Sequence, residues 1–215
     1  MQNRLKRLIE NRTQMLAAIS HDLRTPITLL RLRSELLENA DTRARFIDTL
    51  DEMNAMIDSF IDFARQTSQQ EPLRQVDLSA LVASVCDDAC EAGLPVEAEV
   101  AEAIICSCRP REIRRAVTNL IDNAVKYGNR AHINVGLGKR GVEITVRDEG
   151  PGIPPDQIEQ VCVPFFRGEA SRNPETGGVG LGLSTAQAIV CGHGGELSLS
   201  NHPDGGLLAR ISLPL

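Results

Sequence analysis

Residues 16–26 read Leu16-Ala17-Ala18-Ile19-Ser20-His21-Asp22-Leu23-Arg24-Thr25-Pro26, and they lie inside a repeating pattern. Positions 5, 9, 12, 16, 19, 23, 26, 30, 33 and 37 step by alternating four and three residues. They hold Leu, Ile, Arg, Leu, Ile, Leu, Pro, Leu, Arg and Leu, a heptad seam with three interruptions. Phe46, Leu50, Met53, Ile57, Phe60 and Ala64 continue the same stepping without interruption. Asn39 to Asp41 lie between the seams and supply turn and N-cap residues. The pattern predicts a long antiparallel helical hairpin. Two helices share too little surface to bury both seams, so the economical arrangement is a dimer closing a four-helix bundle. A plain coiled-coil dimeriser has the same periodicity.

What separates the two readings is a residue off the seam. His21 stands two positions after Ile19 and two before Leu23, so it points about 160 to 200° away from the seam, into solvent. An exposed neutral imidazole is a competent nucleophile, although a lone surface histidine is usually only solvated. Thr25, at i+4, lies one turn away on the same face. Pro26 offers no N–H to the carbonyl of Asp22, which should loosen the helix beside the histidine.

Bulk properties bound the remaining possibilities. The chain has 215 residues, 42% hydrophobic and 24% charged, as in ordinary globular protein. A formal charge of -6 is the wrong sign for holding nucleic acid by counterion release, so no nucleic-acid partner is expected. No uncharged apolar run approaches the roughly 18 to 20 residues of a membrane span. Met1 to Arg12 is charged and polar, unlike a signal peptide. Attachment to a membrane is expected only through a segment upstream of this sequence. Six cysteines, at 86, 90, 106, 108, 162 and 191, form no C-x-x-C pair and no zinc-finger spacing. They read as buried free thiols of a reducing compartment.

The chain divides near Gln66 to Arg74. The part before it holds no Gly and one Pro, whereas all 17 glycines follow it, the shift expected between all-helical and mixed α/β parts. The expected domains are residues 1–68, a linker at 69–75, and 76–215. In the second part a predicted helix from about Pro110 to Tyr127 places Asn119, Asn123 and Lys126/Tyr127 on one face. Gly128 suits its stop. Asparagine inside a helix costs propensity, so two on one stripe suggest a polar task, with a solvated face as the alternative. Asp148-Glu149-Gly150-Pro151-Gly152 follows an alternating strand of Val142, Ile144 and Val146. A carboxylate beside glycines there can accept a hydrogen bond from a base while the backbone comes close. Gly178-Val179-Gly180-Leu181-Gly182-Leu183-Ser184 opens another helix, whose amides can face phosphate. No G-x-x-x-x-G-K-[ST], no Rossmann G-x-G-x-x-G in context and no H-R-D loop occurs.

Ile19 to Pro26 resembles the H box of class I sensor histidine kinases, and the later segments resemble the other boxes of that family in family order. The Asn119 to Tyr127 helix resembles the N box, and Asp148 to Gly152 the G1 box. Pro164-Phe165-Phe166-Arg167-Gly168 resembles the F box, and Gly178 to Ser184 the G2 box. The nearest likeness is to osmosensor kinases of the EnvZ type. The resemblance implies a dimeric four-helix bundle followed by an α/β sandwich ATPase domain of the GHKL (Bergerat) type, with a mixed sheet backing three helices. It implies phosphorylation of His21 by ATP, with Asp22 orienting the imidazole and accepting its proton, and Thr25 positioning water for a phosphatase step.

The same resemblance puts Asn123 on Mg²⁺, Lys126 on phosphate, Tyr127 against the base and Asp148 on the adenine amino group. Asn119, Gly150, Gly152, Ile153, Phe166, Arg167, Gly178, Val179, Gly180, Leu181, Gly182 and Leu183 complete the expected nucleotide site. Residues 168–177 are expected to form a lid over it. Val179 departs from the family, which most often has Thr or Ser there. The implied partners are a second copy of the chain and the receiver domain of a response regulator. The implied location is the cytoplasmic part of a bacterial inner-membrane protein. The competing functions are a scaffold that keeps the fold without turnover, and an ATPase of the wider Hsp90 and MutL type without the histidine-bearing hairpin.

Overall fold

The structure is a computed structural model that describes residues 22–65, 71–138, 141–166 and 180–215. The described residues form two compact units, one holding residues 22–65 with Gly180 and Leu181, the other holding the described residues from 71 to 166 and from 182 to 215.

The first unit is the helical hairpin. Helix α1 is described from residue 22 to 34 and stays helical through Pro26. Asn39 caps α2 (Ala40–Arg65), its Oδ1 accepting from the Thr42 N–H at 2.9 Å, with Asp41 in the first turn to complement the dipole. Arg31 on α1 pairs with Asp51 on α2 at 2.7 Å, a half-exposed bridge worth well under about 1 kcal/mol. Among the described residues of the hairpin, Ile27, Ser34 and Leu50 are buried. Of the seam residues, Leu50 is buried within the single hairpin. Leu23, Leu30, Phe46 and Met53 carry the heptad stepping, yet they are 40–49% exposed. Heptad periodicity marks apolar faces but does not say which neighbour covers them, and Ile27 and Ser34 lie one turn beyond Leu23 and Leu30 on an adjoining stripe.

The second unit has the expected layers. Five strands run in the order β2 (Val96–Val100), β4 (Ala131–Gly138), β5 (Gly141–Asp148), β7 (Leu207–Leu213), β6 (Glu196–Asn201). The β2–β4 pair is parallel and the others antiparallel, so the sheet is mixed. Strands β1 (Arg74–Asp77) and β3 (Ile105–Cys108) form a separate antiparallel pair. Three helices complete the unit: α3 (Leu78–Glu91), α4 (Pro110–Gly128) and α5 (Gly182–Gly192).

Local sequence explains the elements. Asp77 caps α3 by accepting from the Ala80 N–H at 3.1 Å. Pro110 starts α4, where its missing N–H is harmless. Asn129, in the left-handed region at φ 62°, ends that helix rather than Gly128, which is still helical. Strand β5 alternates strictly, with Val142, Ile144, Val146 and Asp148 buried on one face. That face shares one core with Ile113, Val117, Leu120 and Ile121 of α4, Leu78 and Val82 of α3, and Ile189 and Val190 of α5. Each such side chain contributes about 1.5–3 kcal/mol by leaving water.

At the far ends of α4 and α5 a buried histidine joins the two helices. His193 Nε2 accepts from the Arg109 N–H at 3.0 Å, and Nδ1 donates to the Ile189 carbonyl at 2.8 Å. Arg109 Nη1 reaches the Gly192 carbonyl at 3.2 Å. This network fixes the relative placement of the two helices that carry the candidate site.

The cysteines divide. Cys86, Cys106 and Cys108 are buried free thiols as expected, Cys162 is half-buried, and Cys90 and Cys191 are exposed. Among the described residues no helix is long and apolar enough to cross a membrane.

Candidate functional site

The strand period itself delivers a carboxylate to the core side. Asp148 is the last residue of β5, in phase with Val142, Ile144 and Val146, and it is only 7% exposed. A buried carboxylate needs donors. Its Oδ1 accepts from the Gly150 N–H at 2.8 Å and from the Leu207 N–H at 2.9 Å. Oδ2 has no donor among the described residues, so one acceptor is held ready on a fixed carboxyl.

Helix α4 reaches the same spot. Asn123 and Asp148 line a small recess together with Leu120, Ala124, Val146, Leu183, Leu207 and Ala209. The recess is apolar with two polar groups, the composition of a site for a flat, partly polar ligand such as a nucleobase. Gly128 packs its Cα against Asp148; a Cβ there would stand 2.5 Å from that of Asp148. The sequence offered this glycine as a helix stop, but its role is close approach.

The remaining expected site residues fall as follows. Asn119 is half-buried one turn before Asn123, and Lys126 is half-buried with its Nζ 5.3 Å from the ring centre of Tyr127. The Tyr127 ring is 37% exposed. Gly150, Gly152 and Ile153 form the turn after Asp148. Phe166 is half-buried, and its N–H donates to the Val163 carbonyl at 3.1 Å. Phe165 beside it takes φ 66°, an outlier for a bulky side chain that stores local strain. Gly180 takes φ 72°, Leu181 is buried, and Gly182 begins α5 with Leu183 facing the recess. On α1, Asp22 and Thr25 are exposed at helical i, i+3 spacing. His21, Arg167, Gly178 and Val179 lie outside the described residues, as does the whole of the expected lid, residues 168–177.

Three contributors had no signature in the sequence. Leu207 acts through its backbone amide. Asn201 pairs both amide atoms with the backbone of Ile153, its Oδ1 accepting from the Ile153 N–H at 2.9 Å and its Nδ2 donating to the Ile153 carbonyl at 2.7 Å. His132 Nε2 donates to Glu149 Oε1 at 2.8 Å, and its Nδ1 lies 3.2 Å from Glu97. That hydrogen bond, with the charges of Arg130, His132 and Arg147 behind it, holds the Glu149 carboxyl below the usual carboxylate range.

A mixed sheet under three helices, with its apolar recess between α4, β5 and the start of α5, has the architecture of a GHKL-type ATPase domain. Comparison with known proteins agrees: residues 108–215 match the model of the histidine kinase-, DNA gyrase B-, and HSP90-like ATPases. Residues 11–69 match the His Kinase A (phospho-acceptor) domain. With both domains in this order, the chain belongs to the class I, HisKA-type sensor histidine kinases. The Hsp90 and MutL reading falls, because a phospho-acceptor hairpin precedes the ATPase fold. The sensor histidine kinase GtrS of Pseudomonas aeruginosa is 39% identical over 215 residues, covering 100% of this chain and 44% of its own length. The NMR structure of the histidine kinase domain of the E. coli osmosensor EnvZ is 34% identical, with a TM-score of 0.54 over 68% of this chain and 91% of that one. A full-length ShkA crystal structure in complex with AMPPNP, 22% identical, shares the fold with a TM-score of 0.69 over 94% of this chain and 45% of that one. The chain spans about half or less of the length of the curated relatives it matches.

Proposed function

We propose that this chain transfers the γ-phosphoryl group of ATP to His21 and passes it on to an aspartate in the receiver domain of a response regulator. In the first step an imidazole nitrogen attacks the γ-phosphorus, the bond to the bridging oxygen breaks, and ADP leaves. Asp22 orients the ring and takes its proton, and Thr25 positions water when the phospho-partner is hydrolysed. The single observation that supports the nucleotide half best is Asp148: buried, anchored through Oδ1 by two backbone amides, and opening onto an apolar recess shared with Asn123. That is the geometry for accepting an adenine amino proton.

Around it, Gly150, Gly152 and Ile153 approach the base, with Tyr127 and Phe166 beside it. Lys126, Arg167 and the segment Gly178, Val179, Gly180, Leu181, Gly182 and Leu183 face the phosphates, with Asn119 on the same helix face. The donors present suit magnesium, since the amide oxygen of Asn123 is a hard ligand and Mg²⁺ draws most of its shell from phosphate and water. When bound, the ion offsets charge on the phosphates; positioning supplies most of the remaining rate. The exposed apolar stripe of Leu23, Leu30, Phe46 and Met53 supports a homodimer closing a four-helix bundle. The chain is read as the cytoplasmic part of an inner-membrane protein, anchored through a segment outside this sequence.

The test is incubation with Mg²⁺ and γ-labelled ATP, followed by acid and alkali treatment, with His21→Gln in parallel. A label that is lost in acid, resists alkali and is absent from the variant supports the reading. Labelling that survives in His21→Gln removes His21 as acceptor. Measured ATP binding without any label moves the chain to a scaffold or phosphatase.

A further inference from the structure

We propose that Asn201 is a positioning residue for the nucleotide-binding loop, setting both its affinity and its preference for adenine. The proposal rests on the reading of Asp148 as the base acceptor. Asn201 and Leu207 are a register pair, facing each other at the turn end of the β6–β7 hairpin. Each holds one end of the six-residue loop that begins with Asp148. Leu207 donates its N–H to Asp148 at the entry, at 2.9 Å. Asn201 closes an amide pair on Ile153 at the exit, at 2.9 and 2.7 Å. The side chain thus imitates a strand neighbour and satisfies a donor and an acceptor that a free loop would leave to water.

Gly152 confirms how tightly the exit is drawn. It takes φ 74°, and a Cβ on it would stand 2.6 Å from Asn201 Oδ1. Between the two anchors the loop has little freedom, so the direction of Asp148 Oδ2 and the approach of Gly150 are set by one cross-strand pair. Asn201 itself is exposed. Hydrogen bonds open to water contribute little to global stability. They do fix orientation, and a small displacement of a group that reads a ligand weakens recognition strongly.

The experiment is calorimetric titration of the whole chain with ATP, ADP and GTP, for wild type, Asn201→Ala and Asn201→Asp, together with melting of each without nucleotide. Asn201→Asp keeps the shape and the acceptor for the Ile153 N–H but turns an oxygen toward the Ile153 carbonyl. The expected result is about a tenfold rise in Kd for ATP and ADP alike in Asn201→Ala, and at least as much in Asn201→Asp. The ratio of GTP to ATP Kd should fall severalfold, while both melting temperatures stay within about 2 °C of wild type. Unchanged ATP affinity and an unchanged ratio in the variants overturn the proposal. So does a loss of ATP and GTP binding in equal proportion that tracks a lowered melting temperature, since that is a structural role only. A wild-type chain that binds no ATP removes the proposed function, and this inference with it.

Discussion

Gly182, the first residue of α5, lies against Asn123 of α4: a Cβ on Gly182 would stand 3.3 Å from Asn123 Nδ2. Two segments separated by 58 residues of chain meet there, at the edge of the recess that Asp148 lines. Alanine at position 182 suits a helix better than glycine by up to about 1 kcal/mol, yet it displaces the Asn123 amide. Gly182→Ala is therefore expected to hold or raise the melting temperature while weakening Mg²⁺-dependent ATP binding about tenfold. Calorimetry with and without Mg²⁺ checks the opposite signs.

Asp148→Asn retains the shape of the carboxyl and an oxygen for the Gly150 and Leu207 amides. It loses the charge that strengthens those two hydrogen bonds and replaces the second acceptor oxygen with a donor. The expected cost is about 1–3 kcal/mol of stability, read in urea, and loss of measurable adenine nucleotide binding. Tight ATP binding in this variant would remove Asp148 as the base acceptor.

His193 is a joint between α4 and α5 rather than a reacting group. Replacing it with Ala strands the buried Arg109 N–H and the Ile189 carbonyl. His193→Ala should lower stability by about 2–4 kcal/mol for two orphaned groups. His193→Gln, with one donor and one acceptor, should recover part of it.

The thiols predict a pH dependence. Burial, with Cys90 and Asp87 nearby, pushes Cys86 up to about 11, and burial, with Cys106 and Glu71 nearby, does the same for Cys108, from an ordinary value of 9.0. In the folded state these groups stay protonated, whereas in the unfolded state they ionise above pH 9. Their contribution is constant below that point, and stability falls as pH rises from about 9 to 11. Urea melts at pH 8 and 10.5 should show a drop that shrinks in the Cys86→Ala/Cys108→Ala protein. At neutral pH a brief iodoacetamide pulse should modify the exposed Cys90 and Cys191 first, by mass spectrometry.

On the hairpin, Leu30→Glu with Phe46→Glu places charge on the exposed apolar stripe without touching the buried Ile27 and Leu50. The expected outcome is a folded monomer by light scattering. A dimer that persists would put the interface elsewhere.

What the sequence determined by itself was everything with a short repeat or a contiguous motif. Heptad stepping announced two helices, Asn39 the cap between them, strict alternation the buried face of β5, and i, i+4 spacing the shared face of Asn119 and Asn123. These are local consequences of 3.6- and 2-residue periods. Alternation even placed Asp148 on the core side. The tertiary structure decided what those faces meet. It turned Leu23, Leu30, Phe46 and Met53 outward while Ile27 and Leu50 took the shared surface. It made Gly128 a contact for Asp148 rather than a helix stop, and it brought Leu207 and Asn201 to the two ends of the Asp148 to Ile153 loop. A backbone amide carries no residue type, and an isolated asparagine at a strand end has no period. Such contacts exist only once β6 and β7 have paired and closed on β5, so no local pattern could announce them.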